Sequence, residues 1–158
     1  MDAQAAPRTI EFIARALIMH SGHVLLCRSE RHGYCYLPGG HVEPGEESGA
    51  ACLRELVEEA GMDARIVRAL LLAEVRFGAG KRAHHEINIV FHVEQRGAPS
   101  GVTSPPEVQS RESKIAFEWV QREAIAEIDM RPRVFRDWLA APQDPLSQPG
   151  ISWLSVSE

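Results

Sequence analysis

The alternation of apolar and polar positions divides the chain into short strands around one helix. Residues 11–20 (EFIARALIMH) and 23–28 (HVLLCR) read as two strands, joined at Ser21-Gly22 into a hairpin. Residues 34–37 form a short strand that delivers the chain to Pro38-Gly39-Gly40. A helix is expected from Glu46 or Glu47 to Gly61, which stands where a left-handed cap belongs. Residues 64–77 are an apolar-rich strand, and 78–84 (GAGKRAH) a basic turn. Residues 86–94 alternate cleanly, with Ile87, Ile89, Phe91 and Val93 on one face. A long Pro/Ser/Gly loop, 96–112, precedes a strand at 114–120. Helices are expected at 121–128 and at 132–140, the latter with Pro132 in its first turn. Segments 1–8 and 141–158 read as loose tails. Ile151, Trp153 and Leu154 in the second would dock on the body or on a partner subunit, so a homodimer is one arrangement they would serve.

At about 100° per residue, with Glu55 at zero, Glu59 falls at about +40° and Glu58 at about −60°. On the same scale Leu53, Val57 and Ala60 lie at roughly 140–200°. The wheel therefore predicts an acidic face opposite an apolar one. A solvated surface is the default for such a face. Yet Glu55 and Glu59 are like charges at i,i+4, a spacing that costs about 0.2–0.5 kcal/mol in an isolated helix, and no Lys lies on this helix to relieve them. Carboxylates converging without cationic partners are what a hard divalent cation needs, and Mg²⁺ adds waters and substrate phosphates to such oxygens. Gly39 and Gly40 allow close backbone approach, and exposed N–H groups at such a turn can face phosphate oxygens.

Composition narrows the classes. At 158 residues the chain is expected to be a single domain. Its net charge of −5 gives no general attraction to a nucleic-acid duplex. The apolar run at 12–19 is broken by Arg15 and is far short of the ~20 residues that span a bilayer. Cys27, Cys35 and Cys52 form no C-x-x-C pair and read as reduced thiols of a cytoplasmic protein.

Gly40, Glu46 and Arg54-Glu55-Leu56-Val57-Glu58-Glu59-Ala60-Gly61-Met62 match every fixed position of G-x5-E-x7-R-E-U-x-E-E-x-G-U, where U is a bulky apolar residue. This resembles the complete Nudix box, and the likeness extends over about residues 10–140 through Leu37-Pro38-Gly39 and Phe117-Glu118-Trp119-Val120. The resemblance implies an α/β fold, a Nudix-type α/β/α sandwich around a mixed β-sheet. It implies a hydrolase that cleaves the diphosphate linkage of a nucleoside diphosphate joined to another moiety, with Mg²⁺ or Mn²⁺. Glu58 and Glu59 would be metal ligands, Glu55 a third ligand or the group that activates water, and the Gly40 carbonyl part of the metal shell. Arg54 would orient the carboxylates by pairing with Glu46. The family also places its general base on a late loop, where Glu112, then Glu107, is the candidate.

Substrate contacts are less legible. Arg28, Arg31, Lys81 and Arg82 are candidates for the phosphates, although solvated loop cations are the default. Phe77 is a stacking candidate, whereas Phe117 and Trp119 read as core. His84 and His85 point to opposite faces of a strand and form no zinc site. The proline of ADP-ribose-specific relatives is absent near Phe77, the tyrosine of diadenosine-polyphosphate relatives is absent at Ala79-Gly80, and the zinc ribbon of NADH-cleaving relatives is missing. A nucleoside triphosphate or a nucleotide sugar stays open as substrate. A non-catalytic nucleotide sensor and an isopentenyl-diphosphate-isomerase-like enzyme are the competing readings. The intact box counts against both.

Overall fold

The computed structural model describes residues 9–98, 101 and 103–158. The expected tail at 1–8 lies outside them. Strand β1 (Glu11–Leu17) and the two-residue β2 (Met19–His20) come from what reads in sequence as one strand. They part at Ile18 because the chain leaves one sheet there for another, and the Ile18 carbonyl accepts from Leu25 N–H at 3.0 Å. β3 (His23–Ser29), β4 (Cys35–Tyr36) and β5 (Gly39–His41) follow, then helix α1 (Ser48–Ala60). The long β6 (Ala64–Phe77) and β7 (His84–Gln95) flank a single 3₁₀ turn at Gly80–Arg82. β8 (Ile115–Gln121), helix α2 (Arg133–Ala140) and β9 (Ser152–Ser157) complete the chain.

Five strands form a mixed sheet in the order β5-β1-β7-β6-β9. β1 runs parallel to β7 and β9 parallel to β6, while the β1–β5 and β6–β7 pairs are antiparallel. The second sheet is built on β3, with β8 along one edge and β2 and β4 sharing the other. Alternation along β1 and β7 sends side chains to both faces of the larger sheet, and both faces are covered. On one, Ala14, Ala16, Phe91 and Val93 meet Ala51, Cys52 and Leu56 of α1. On the other, Leu17, Leu71, Val75 and Val90 meet Val134, Phe135, Trp138 and Leu139 of α2. The result is an α/β/α sandwich around a mixed sheet. No described helix is long and apolar enough to cross a membrane.

Four expectations change. Residues 121–128 give a 3₁₀ helix, Arg122–Glu127, and Pro132 caps α2 from outside rather than opening its first turn. Helix α1 is rotated from the predicted wheel: Val57 is exposed and Leu56 and Glu59 are buried, so the acidic arc borders the buried face instead of opposing it. The segment at 141–158 is not a loose tail. Its last strand, β9, pairs with β6 from Leu71↔Ser152 to Arg76↔Ser157. Leu154 and Val156 pack on the α2-side core, while Ile151 and Trp153 stay exposed. The Glu158 carboxylate accepts from Arg133 N–H (3.1 Å) and Val134 N–H (2.9 Å), satisfying free donors at the positive end of α2.

A chain truncated after residue 151 should therefore unfold at least about 5 °C below the full chain in a calorimetric scan, since burial of a Val or Leu side chain stabilises by about 1.5–3 kcal/mol. An unchanged Tm would mean that β9 is an ornament on the sheet.

Candidate functional site

The site forms where α1 meets β5. Gly39 stands at φ 131°, a left-handed-side value that favours glycine. A Cβ there would run into the Ala14 carbonyl oxygen of the neighbouring strand, and a Cβ at Gly40 would occupy the space of the Glu55 carboxyl group. The glycine pair thus lets α1 lay its carboxylates against bare backbone. Gly39 N–H donates to the Glu59 carboxylate.

Arg54 is the hub of the exposed half. It donates to Glu46 through Nε (2.8 Å) and Nη2 (3.1 Å), to Glu55 Oε1 (2.9 Å), to Glu58 Oε2 (3.1 Å) and to the His41 carbonyl (3.1 Å). The Arg54–Glu46 pair expected from the box is present. Arg54 is held far above its ordinary pKa, first by Glu46, and Glu46 is held below the carboxylate range by the same contact. Glu59 is different. It is 5% exposed, its Oε2 is buried without a hydrogen-bond partner, and its pKa is pushed up to about 7. Burial is the main cause, with repulsion from Glu55 next. Gly39 N–H and the Arg15 charge oppose the shift.

The described residues contain no ready-made cluster of three or more His, Cys, Asp or Glu at ligating distance. Glu55 and Glu58 are both bound to Arg54. The donor set nonetheless fits a hard cation. The orphaned Glu59 oxygen, the Glu55 carboxyl lodged against Gly40, and the exposed Glu58 are all oxygen donors on one turn of helix, and a divalent ion would supply the positive partner that Glu59 lacks.

The late-loop candidate is brought close. Arg111 N–H donates to the Glu59 carbonyl at 2.7 Å and its guanidinium to the Val57 carbonyl, which docks the end of the long loop on the last turn of α1. Glu112 follows, exposed, and its charge reaches Glu59 as a further upward push. Glu107 is exposed higher in the loop. Cavity-lining residues sort differently. Next to Arg15, which donates to the Gly39 carbonyl, lies a cavity of about 670 Å³ lined by Arg15, Tyr34, Tyr36, Phe77, Glu86, Asp129, Arg131, Pro132, Arg133 and Glu158; Gly39, Gly40 and the carboxylates of α1 are not part of its wall. Phe77, the stacking candidate, lines it. Arg28 does not: it is committed to Glu118 through Nε (3.1 Å) and Nη2 (2.6 and 2.8 Å). Arg82 stays exposed on its 3₁₀ turn and does not line the cavity.

The cations and acids that do line it escape a reading of the sequence. Arg15 shows only as a break in an apolar run, although a charge at an inward strand position is itself a signal. Glu86 falls on the polar side of β7, which reads as a solvent face because alternation cannot reveal that a second layer covers it. Arg131, Arg133 and Glu158 reach the cavity only through the folding of α2 and β9.

Between pH 4.5, the ordinary value, and about 7, unfolded Glu59 ionises while folded Glu59 keeps its proton, so stability falls as pH rises through that window. The loss, of order 3 kcal/mol at one pKa unit per about 1.4 kcal/mol, is complete above pH 7. In EDTA, Glu59→Gln should then raise Tm by several degrees at pH 8 and leave it unchanged at pH 4.5. Equal shifts at both pH values would show that burial of the charge is not what matters.

Comparison with known proteins places the chain. A NUDIX domain profile matches residues 11–140. A protein named isopentenyl-diphosphate Delta-isomerase 2, from Aromatoleum aromaticum, is 30% identical over 141 residues, covering 83% of this chain and 70% of the relative. Among solved structures, a MutT protein from Methanosarcina mazei Go1 superimposes with a TM-score of 0.65 at 26% identity, covering 85% of this chain and 94% of the other. A NUDIX hydrolase from Nitrosomonas europaea has a TM-score of 0.68 at 14% identity, covering 96% and 81%, a likeness of fold alone. By profile and by the box at residues 40–62, the chain belongs to the NUDIX domain family and has the fold of its hydrolases.

Proposed function

We propose that the chain is a Mg²⁺-dependent pyrophosphohydrolase, with Mn²⁺ able to substitute, that cleaves the diphosphate linkage of a nucleoside diphosphate joined to another moiety. A nucleoside triphosphate or a nucleotide sugar is the expected substrate class. The observation that carries this reading is the buried Glu59 carboxylate, one oxygen orphaned, set on the Gly39-Gly40 backbone beside a nucleotide-sized cavity.

Glu55, Glu58, Glu59 and the Gly40 carbonyl would hold the metal, which when bound neutralises diphosphate charge and favours ionisation of a nearby water. The chain's own residues do the rest. Arg54 tethers Glu55 and Glu58 on one side and Glu46 on the other, fixing the rotamers of the acidic turn. Glu112 is the candidate to accept the proton from the attacking water. Its carboxylate takes no hydrogen bond from any described residue, so it is free to accept one, and Glu55 is the alternative acceptor, with Arg54 competing for it. Gly39 and Gly40 keep side chains out of the space the diphosphate would cross.

The isomerase reading has a specific finding behind it, the 30% identical relative. It would use the same carboxylates on a diphosphate. The cavity suits a ligand that has both a ring and polar edges: Arg15, Glu86, Asp129, Arg131, Arg133 and Glu158 stand among Phe77, Tyr34 and Tyr36, and a hydrocarbon tail would leave those charges unanswered. A nucleotide sensor would bind without turnover. A small-molecule partner suits a chain of net charge −5 better than a nucleic-acid duplex or an anionic membrane does. The buried, unbridged Cys27, Cys35 and Cys52 support a reducing, cytoplasmic setting. The exposed Trp153 on the outermost strand and the exposed Ile151 just before it support a homodimer.

Incubation with Mg²⁺ and a panel of nucleoside triphosphates, nucleotide sugars, ADP-ribose, dinucleotides and isopentenyl diphosphate should yield phosphate or pyrophosphate from a nucleotide. Glu58→Gln and Glu59→Gln should each cut that turnover by more than the roughly 10–100-fold typical of an outer-shell change, with unaltered circular dichroism. Turnover at wild-type level in both variants would sink the assignment, and isomerised prenyl diphosphate without phosphate release would install the competitor.

A further inference from the structure

The cavity contains a polar device that hydrolysis itself does not use. Glu86 and Asn88 lie two residues apart on β7, so both project from the same face of the sheet. Asn88 is fully buried and Glu86 is 9% exposed. They are chained together and to the glycine loop. Asn88 Nδ2 donates to Glu86 Oε2 at 3.1 Å, Arg15 Nε donates to Asn88 Oδ1 at 3.4 Å, and Arg15 Nη1 donates to the carbonyls of Leu37 (3.1 Å) and Gly39 (3.4 Å). One oxygen of Glu86 is thereby fixed. The other, Oε1, takes no hydrogen bond from any described residue, and Glu86 lines the cavity.

An aromatic ring stands next to it. Phe77 pairs with His84 across the β6–β7 ladder, and their rings stack at 4.9 Å and 9°. Val75 pairs with Glu86, so Phe77 and Glu86 are diagonal neighbours on one face, roughly 7–8 Å apart by sheet geometry. Two other aromatics stand on this wall: Tyr34 is engaged by His32 and by Arg131, whose guanidinium lies 4.7 Å from its centroid, and Tyr36 by Tyr34 and by Arg15, 5.8 Å from its centroid. Phe77 meets His84 alone among the ring contacts of the described residues, which leaves it the aromatic that a ligand can cover. Val90 of β7 pairs with Arg15, which pairs with Gly39, so Glu86 lies about four residues along the strand (roughly 13 Å) and two strands across (roughly 10 Å) from the glycine loop, or roughly 16 Å in all. A nucleoside fits between a diphosphate at the loop and a group held at Glu86.

We infer that Glu86 is the specificity-determining residue of this pocket, selecting nucleotides that present two adjacent hydrogen-bond donors to one carboxylate while the base stacks on Phe77. The inference rests on the nucleotide reading above. A carboxylate is an acceptor only, and it binds paired donors best. A guanine-type edge offers such a pair in N1–H and the exocyclic amine, and a ribose offers one in its cis-diol. Adenine or cytosine presents an amine beside a ring acceptor, which the carboxylate repels. Leaving an acceptor unmatched in a buried site is what makes polar discrimination steep.

The test measures binding without turnover. α,β-Methylene analogues of guanosine, deoxyguanosine and adenosine triphosphates are titrated calorimetrically with Mg²⁺ into wild type and Glu86→Gln. Glutamine keeps the shape and can still accept from Asn88, but offers the ligand a mixed donor–acceptor edge. If the base edge is read, wild type prefers guanosine over adenosine by at least about tenfold and the variant loses or reverses that preference. If the diol is read, wild type prefers the ribo over the deoxy ligand by a similar factor and the variant loses that instead. Phe77→Leu should weaken all three ligands by about tenfold while keeping their ratios, and it supplies the test of the pocket should Glu86→Gln fold poorly. Wild-type selectivity that is absent, or that survives in a Glu86→Gln protein of unchanged Tm, overturns the inference and makes the Glu86–Asn88–Arg15 chain a structural one. Phosphate release by wild type on natural nucleotides, assayed in parallel, judges the hydrolase reading separately.

Discussion

The contact between bare glycine backbone and a buried carboxylate sets the terms for this structure. Gly39 and Gly40 carry no side chain at the point where α1 crosses β5, and a methyl group at either would meet the Ala14 carbonyl or the Glu55 carboxyl. The close approach carries Glu59 into the interior, where the Gly39 N–H and the Arg15 charge answer it in part and one oxygen has no hydrogen-bond partner among the described residues. A charge held there destabilises the metal-free fold. Such local cost is tolerated where the surrounding structure over-determines it. Here the surroundings are the two packed faces of α1 and β1.

Two separate networks converge on that contact from opposite sides. Arg54 organises the solvent side, binding Glu46, Glu55 and Glu58 together. Arg15 organises the cavity side, tying the Leu37 and Gly39 carbonyls to Asn88 and, through it, to Glu86. Both guanidiniums bind through several hydrogen bonds in fixed directions, which a lysine could not reproduce. The loop between them is therefore positioned by geometry on both flanks, and the carboxylates of α1 stay registered with the cavity where a nucleotide would lie.

The C-terminal segment illustrates a different constraint. β9 covers the β6 edge, and Glu158 closes the open N–H groups of α2. The same residue lines the cavity, as do Arg131 and Arg133 at the start of α2. The cavity wall and the stability of the fold are thus built from one set of residues, which ties the shape of the cavity to the sandwich itself.

Much of this was legible in the chain. The box at 40–62 specified the acidic turn and its glycine loop, because the family motif sets fixed residue types at fixed helical spacing, and the Arg54–Glu46 pair follows from the same spacing. The strands at 64–77 and 86–94 were plain from local alternation. What local pattern could not state was which face each element would bury. The wheel put Glu59 opposite the apolar side, and packing turned it inward, since a helix face is chosen by the layer it meets. Alternation placed Glu86 and Asn88 on a polar face without showing that α2 and the second sheet cover it. The tail at 141–158 reads as loose because its short alternation is worth little alone, and it became a strand only when β6 offered an edge. By itself, then, the sequence determined the fold family and the acidic helix turn, which depend on short-range spacing. Only the tertiary structure decided the burial of Glu59, the lining of the cavity and the place of β9, which depend on contacts between residues far apart in the chain.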